Sequence, residues 1–506
     1  MTVTDPCAMV IFGATGDLTK RLVVPALYNL ARTGVLPAHF ALIGVARAAG
    51  SAQSWRTHLR TTLDSFVGNH NASFDIDHID EAVWERLAAS MSYVQGDLTD
   101  PAFYSTLGSK LETMAGTGGT LGNVIFYLAL AEQLFATVIE ELAAAGLTDE
   151  QDSPPTWRRV VIEKPFGHDV ASARALNECL ARSLHETQIF RIDHFLGKEA
   201  VQSIMAFRFA NGLFEPIWNR DRIDHVQITV AETAGVEDRG KFYEATGALR
   251  DMVPNHVFSL LSMIAMEPPT SFDAAGIRAR KTEIFAAMPA VQPVWAVRGQ
   301  YGPGDVLGKP AKAYRLEHDV ATDSTVETYV AMRLDIDNWR WAGVPFYFRT
   351  GKHLKQRLTE IAISFKQAPF MAFKSTPVTA LKPNWLVLRI SPDEGISLQF
   401  EVKKRGGAFE LAAVTMDFHY DDWFEKEPNV GYETLLHDVM SGDQTLFMSA
   451  DAAEQGWRVM QPVLDAWAAD ATGLAIYASG SDGPEAADEL LWGDGMRVWR
   501  DLDLKA

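Results

Sequence analysis

The chain has 506 residues, 47% apolar and 22% charged, too long for one hydrophobic core and ordinary in composition for a globular protein of two or three domains. Its net charge of −19 argues against nucleic acid as the main partner, so an anionic substrate requires a local basic pocket in an acidic protein. The two cysteines, Cys7 and Cys179, stand far apart in no metal-ligand spacing, no apolar run nears a membrane span, and the start lacks a secretory signal. The expectation is a cytoplasmic protein that uses neither membrane nor metal.

Ala8–Phe12 is apolar at every position and reads as a buried parallel strand, ended by Gly13-Ala14-Thr15-Gly16-Asp17. Helical spacing follows through Leu22, Leu27 and Leu30, then strands at Phe40–Val45, Asn123–Leu128 and Arg159–Glu163. Strands separated by helical patterns imply right-handed βαβ units and a Rossmann-type parallel sheet. A glycine turn at the first βα junction lets backbone approach a pyrophosphate, which the helix N-terminus stabilises. The spacing departs from G-x-G-x-x-G and is not a Walker A loop. Candidate cofactor residues are Gly13, Thr15, Gly16, Asp17 and Leu18. Arg47 ends the second strand, where NAD-selective folds place an acid for the ribose 2′-hydroxyl. An Arg there, with the Thr15 hydroxyl nearby, suits a 2′-phosphate, so NADP is favoured and NAD stays open.

Glu163-Lys164-Pro165-Phe166-Gly167 comes next, and then Arg191-Ile192-Asp193-His194-Phe195-Leu196-Gly197-Lys198-Glu199. The latter sets a carboxylate, an imidazole and an ammonium within about two helical turns of one another. A carboxylate can orient a catalytic base, and His194 with Lys198 suits a dianionic phosphate. The competing reading is a solvated face of i,i+4 pairs. A second Asp/His pair lies in Arg250-Asp251-Met252-Val253-Pro254-Asn255-His256.

After about residue 197 the periodicity changes to two, at 225–231, 328–334, 359–365, 386–390 and 396–402, with helices around 245–266 and 430–470. That pattern implies an α+β domain built on a large antiparallel sheet flanked by helices. The expected division is residues 1–196 for the dinucleotide and 197–506 for the substrate site and oligomer contact.

Together these motifs, with Asp337-Asn338-Trp339-Arg340-Trp341-Ala342-Gly343-Val344-Pro345-Phe346, Arg349-Thr350-Gly351-Lys352 and Gly442-Asp443-Gln444-Thr445-Leu446-Phe447, resemble the glucose-6-phosphate dehydrogenase family in order and spacing. The resemblance runs from about residue 8 to the helices near 470 and leaves the last thirty or so residues unplaced. It implies oxidation of D-glucose 6-phosphate at C1 to 6-phospho-D-glucono-1,5-lactone with hydride transfer to NADP, the entry step of the pentose phosphate pathway. By match, His256 is the general base and Asp193 orients it. His194 and Lys198 bind phosphate, joined by Lys352 and Arg357. Glu232 and Asp251 bond sugar hydroxyls, Lys164 stands near O1 and the nicotinamide, and Pro165 is cis. A homodimer or homotetramer is also implied. The chain departs from the family pattern at Phe195 (usually Tyr), Ala131-Glu132 (usually Pro-Pro), Leu22 (usually basic) and Ser391 (usually Gln). A polyol dehydrogenase of the inositol-dehydrogenase type would share the two-domain plan and the Glu-Lys-Pro motif, but not the second Asp/His pair or the phosphate-binding basic set.

Overall fold

A run that is apolar at every position, rather than every second one, belongs in a strand covered on both faces, and Cys7–Phe12 is buried throughout. The structure is a computed structural model and describes residues 2–502 apart from 70–73, 75, 118, 153, 154, 375, 426–428 and 471. Cys7–Phe12 (β1) is joined by Phe40–Ala46 (β2), Met91–Gln95 (β3), Val124–Leu128 (β4), Arg158–Glu163 (β5) and Ile189–Ile192 (β6). All pair in parallel, in the order β3-β2-β1-β4-β5-β6. Strand order reverses between β1 and β4, and a crevice at such a reversal is where dinucleotides bind in this architecture. Two strands escape the apolar-run signal. β3 (Met-Ser-Tyr-Val-Gln) is mostly half-buried, and β6 holds a buried Arg191.

The segment at 191 is therefore not helical. Arg191 and Ile192 close β6, and the following residues form successive tight turns: Leu196 N–H to Asp193 O (3.0 Å), Gly197 N–H to His194 O (3.2 Å) and Lys198 N–H to Phe195 O (3.2 Å). The helix Glu199–Phe209 begins only after them.

The chain divides into two compact units. The first holds Met1–Lys198 with two later pieces, Pro269–Ala279 and Lys426–Glu454. Polar contacts, some of them buried, fasten the second of these pieces. Arg159 donates to the carbonyls of Val439 (2.7 Å) and Met440 (2.6 Å) at the end of helix Glu433–Ser441, Asn29 donates to Glu433 (3.1 Å), and Gln444 donates to the carbonyls of Glu186 and Ile189 (2.9 Å each). A guanidinium at a helix C-terminus satisfies carbonyls that have no partner within the helix.

The second unit holds Glu199–Pro268, Arg280–Glu425 and Gln455–Ala506. Its strands are Ile223–Ala231 (β7), Ala296–Val306 (β8), Lys309–Ala311 (β9), Tyr329–Leu334 (β10), Phe346–Gly351 (β11), Leu358–Phe365 (β12), Trp385–Ser391 (β13), Gly395–Lys403 (β14), Leu411–His419 (β15) and Leu474–Ser479 (β16). They form one ten-stranded sheet in the order β9-β8-β10-β11-β7-β12-β13-β14-β15, with β16 beside β8. The sheet is mixed. Most pairs are antiparallel as expected, but β11 runs parallel to β7 and β16 parallel to β8. The period-two signal marks a half-buried strand and carries no information on direction, so these two pairs were not readable.

Described residues 485–502 pack against this sheet. Helix Glu485–Gly493 follows β16, the Arg500 N–H donates to Gln227 (2.8 Å), and Arg349 donates to the Arg500 carbonyl (2.5 Å). Among the described residues no helix is long and apolar enough to cross a membrane.

Candidate active site

In the first unit, β1 ends in a sharp turn that only glycine fits. Gly13 has φ +86°, and a side chain there would meet the Ala129 carbonyl oxygen at 2.1 Å. The N–H groups of Gly13 and Ala14 both donate to Val45 O (3.0 Å), and Gly16 N–H donates to Gly13 O (2.9 Å). This leaves Thr15, Gly16 and Asp17 exposed, and half-buried Leu18 stands at the cap position before the helical turn Thr19–Val23, where its side chain supplies no capping hydrogen bond. Exposed backbone at an uncapped helix start, beside the reversal of strand order, fits a dinucleotide pyrophosphate. Arg47 is exposed just past β2. Hydrogen bonds from Thr99 hold the nearby Asp97 carboxyl below its usual range, and the Arg47 charge adds to this.

Lys164 is half-buried after β5, and its bond to Pro165 is cis. The preceding Glu163 is buried and accepts hydrogen bonds from the hydroxyls of Tyr127 and Tyr432, the latter at 3.5 Å. Burial pushes Glu163 up to about 7 despite both donors. Tyr432 lies parallel to the His194 ring, with centroids 6.3 Å apart. Asp193 is buried and accepts the Phe195 N–H at 3.0 Å. The Lys198 ammonium sits 4.5 Å over the buried Phe195 ring. Gly197 admits no side chain, because its Cβ would lie 1.9 Å from the Gly431 carbonyl oxygen.

The second unit gathers another set. Lys352, buried just past β11, donates to Glu232 at 2.6 Å, and its ammonium lies 5.3 Å from the Tyr243 ring centroid. Burial pushes the Tyr243 phenol well up, and the carboxylates of Asp251 and Glu232 add to the effect. Those two acids and Lys352 thus surround one buried tyrosine. Arg357 is exposed.

Asp251 and His256 lie on a helical stretch that is broken at Gly247 (φ 65°, ψ 176°) and continues as the wide turn Val253–Val257. Glu327 caps the break: its backbone carbonyl accepts from Ala248 N–H (2.9 Å) and its carboxylate from Leu249 N–H (2.9 Å). His256 is buried, 1% exposed.

Tyr127, Tyr432, Tyr243 and Glu327 carry these arrangements and were missed as site residues. Tyr127 stood inside an expected strand. Tyr432 and Glu327 lie far along the chain from the groups they touch, as Tyr243 does from Lys352, so no local spacing marks them. Among the departures, Glu132 faces His168 (3.8 Å), and Ser391 ends β13 with a cis bond to Pro392.

Residues 10–203 match the family described as glucose-6-phosphate dehydrogenase, NAD binding domain, and residues 205–500 match the glucose-6-phosphate dehydrogenase C-terminal domain. The chain is 43% identical to a glucose-6-phosphate 1-dehydrogenase of Chlamydia muridarum, over 98% of this chain and 97% of the relative. It is 40% identical to the Bacillus subtilis enzyme of that name, over 97% and 98%. Among solved structures, glucose-6-phosphate 1-dehydrogenase from Mycobacterium avium superposes with a TM-score of 0.84 at 39% identity, covering 99% of each chain. A glucose-6-phosphate dehydrogenase in complex with its substrate glucose-6-phosphate superposes with a TM-score of 0.88 at 31% identity, covering 99% of this chain and 100% of the other.

Proposed function

The chain belongs to the glucose-6-phosphate dehydrogenase family, and on that premise we propose that it oxidises D-glucose 6-phosphate at C1 to 6-phospho-D-glucono-1,5-lactone, with NADP as preferred cofactor and NAD as the alternative. The observation that carries this reading is that both family domains match, in order, across nearly the whole chain.

His256 serves as the general base. A neutral imidazole takes the O1 proton while the C1–H electron pair departs as hydride and C1=O forms, and Asp193 orients the ring and stabilises the imidazolium. The nicotinamide, when bound, supplies the acceptor for that hydride. Gly13, Thr15, Gly16, Asp17 and Leu18 hold the pyrophosphate end, Arg47 holds the 2′-phosphate, and Lys164 serves both the nicotinamide and substrate O1. His194, Lys198, Lys352 and Arg357 bind the substrate phosphate, since a dianion rewards several charge-assisted donors. Glu232 and Asp251 accept from sugar hydroxyls and fix the orientation of C1. We place the dinucleotide function in 1–196 and the substrate site and subunit contact in 197–506, in a cytoplasmic homodimer or homotetramer.

Steady-state reduction of NADP and NAD with glucose 6-phosphate, free glucose and inositol tests this assignment. Glucose 6-phosphate is expected to exceed both other substrates. Comparable turnover of free glucose would end the phosphate reading. Arg47→Ala is expected to raise the KM for NADP about 10–150-fold and leave NAD nearly unchanged, the effect of one lost charge-assisted contact. Equal losses with both cofactors would reassign Arg47 to the pyrophosphate or to the fold.

A further inference from the structure

Next to Lys352 stands a histidine that neither the motifs nor the proposed chemistry uses. His353 has φ +51°, in the left-handed region, where a non-glycine residue persists only if its surroundings hold it. The surroundings do so from both sides. Lys352 N–H donates to Thr328 O (3.0 Å), His353 N–H to Ala234 O (3.1 Å), Leu354 N–H to Glu232 O (2.9 Å), and Gly480 N–H to His353 O (2.7 Å). The Tyr477 hydroxyl donates to Lys352 O (2.6 Å).

The imidazole is wedged as tightly as the backbone. Its ring lies 4.3 Å from that of Tyr301, and a Cβ on Gly235 would meet its Nε2 at 2.5 Å. Nδ1 is 3.1 Å from the Ser479 hydroxyl, which also lies 2.7 Å from the Gly302 carbonyl. A carbonyl cannot donate, so the serine proton goes to Gly302 and the hydroxyl accepts from Nδ1–H. Nδ1 therefore carries a proton, and in the neutral ring the lone pair lies on Nε2.

We propose that His353 is a positioning residue for the phosphate-binding end of the substrate site: its Nδ1–H donor to Ser479 locks the backbone that carries Lys352, so that loss of this donor weakens substrate binding without slowing the chemical step. This rests on the reading of Lys352 as a phosphate ligand. The charged groups facing the ring are Lys352, whose ammonium opposes a second positive charge, and Glu317 and Glu237, which favour it. Glu317 is already matched by Lys312 at 2.8 Å and by the Tyr301 hydroxyl at 3.2 Å. Burial is the largest influence and holds His353 below its ordinary value of 6.5. The neutral ring is therefore favoured, and the Nδ1–H donor to Ser479 is present whether or not Nε2 carries a proton.

The test compares two variants with the parent enzyme in kinetics with glucose 6-phosphate at about pH 8. His353→Asn keeps a donor near Nδ1 and tolerates the left-handed backbone. It is expected to match the parent in KM and kcat. His353→Ala loses the donor and is expected to raise KM about threefold to tenfold, with kcat within twofold. An Asn variant that loses as much as the Ala variant, or an Ala variant that loses kcat with KM intact, would overturn the proposal. Lys352→Ala on glucose 6-phosphate and on free glucose separates the two levels. Equal loss on both sugars removes Lys352 from phosphate binding and the inference with it. A phosphate-selective loss beside a silent His353→Ala variant sinks the inference alone.

Discussion

The two Asp/His segments are built in opposite ways. Asp193-His194 sits where a strand ends, in three successive turns whose hydrogen bonds all close within the segment, and Asp193 itself accepts the Phe195 N–H at 3.0 Å. Asp251 and His256 sit on a helix interrupted at Gly247, and the restart depends on Glu327, 78 residues beyond Leu249. A contiguous motif fixes its shape locally and can be recognised as a string. The second motif owes its geometry to a distant carboxylate, so the same string elsewhere would read as an ordinary helix face.

The largest effect expected on this contrast is at the second segment's functional end. His256→Asn should lower kcat by about 10²–10⁴, the usual contribution of a positioned general base, while substrate still binds. Steady-state kinetics with a direct binding measurement checks this, and a variant with near-parent kcat would remove His256 from the chemistry. Next comes the break that positions it. Gly247→Ala forces a side chain into backbone space that only glycine occupies and should cost about 1–3 kcal/mol. Its Cβ would also meet the Glu327 carboxylate at 2.3 Å. Thermal melting reads the loss, and a variant as stable as the parent would show that Glu327 does not hold the break.

The smallest effect is a slope, and it belongs to the first segment's support. Glu163, hydrogen-bonded by the tyrosine that stacks on His194, is raised to about 7 from 4.5. A carboxyl raised on folding contributes stability fully present below its ordinary value and lost as pH rises through about 7. Glu163→Gln should therefore flatten the fall in melting temperature between about pH 5 and 8. An unchanged slope would assign the parent's pH dependence to other groups.

The legible parts share one property. Strands β1, β2 and β4 were readable because a strand covered on both faces must be apolar throughout, and β5 from its short buried run Val160–Ile162. The Gly13 turn was readable because a strand running into glycine at a βα junction has few alternatives. β3 carries half-buried polar positions, and β8 holds Gly299, Gly302 and Gly304, so neither shows a clean period. Lys164, Asp193, His194 and Lys198 could be named from contiguous motifs, whereas Tyr432, Tyr243 and Glu327 could not, since each acts on a group far away in sequence.

By itself the sequence determined the parallel sheet of the first unit, the α+β character of the second, the glycine turn at the first helix and the residue types of both Asp/His motifs, because periodicity and turn chemistry are local. Tertiary structure alone decided the parallel pairs inside the second sheet, the placing of 269–279 and 426–454 with the first unit, the cap on Gly247, the tyrosine clamp on Glu163 and the Nδ1–H donor of His353 to Ser479. Each of these joins groups distant along the chain, and only folding, by burying them together, makes their hydrogen bonds and desolvation act on one another.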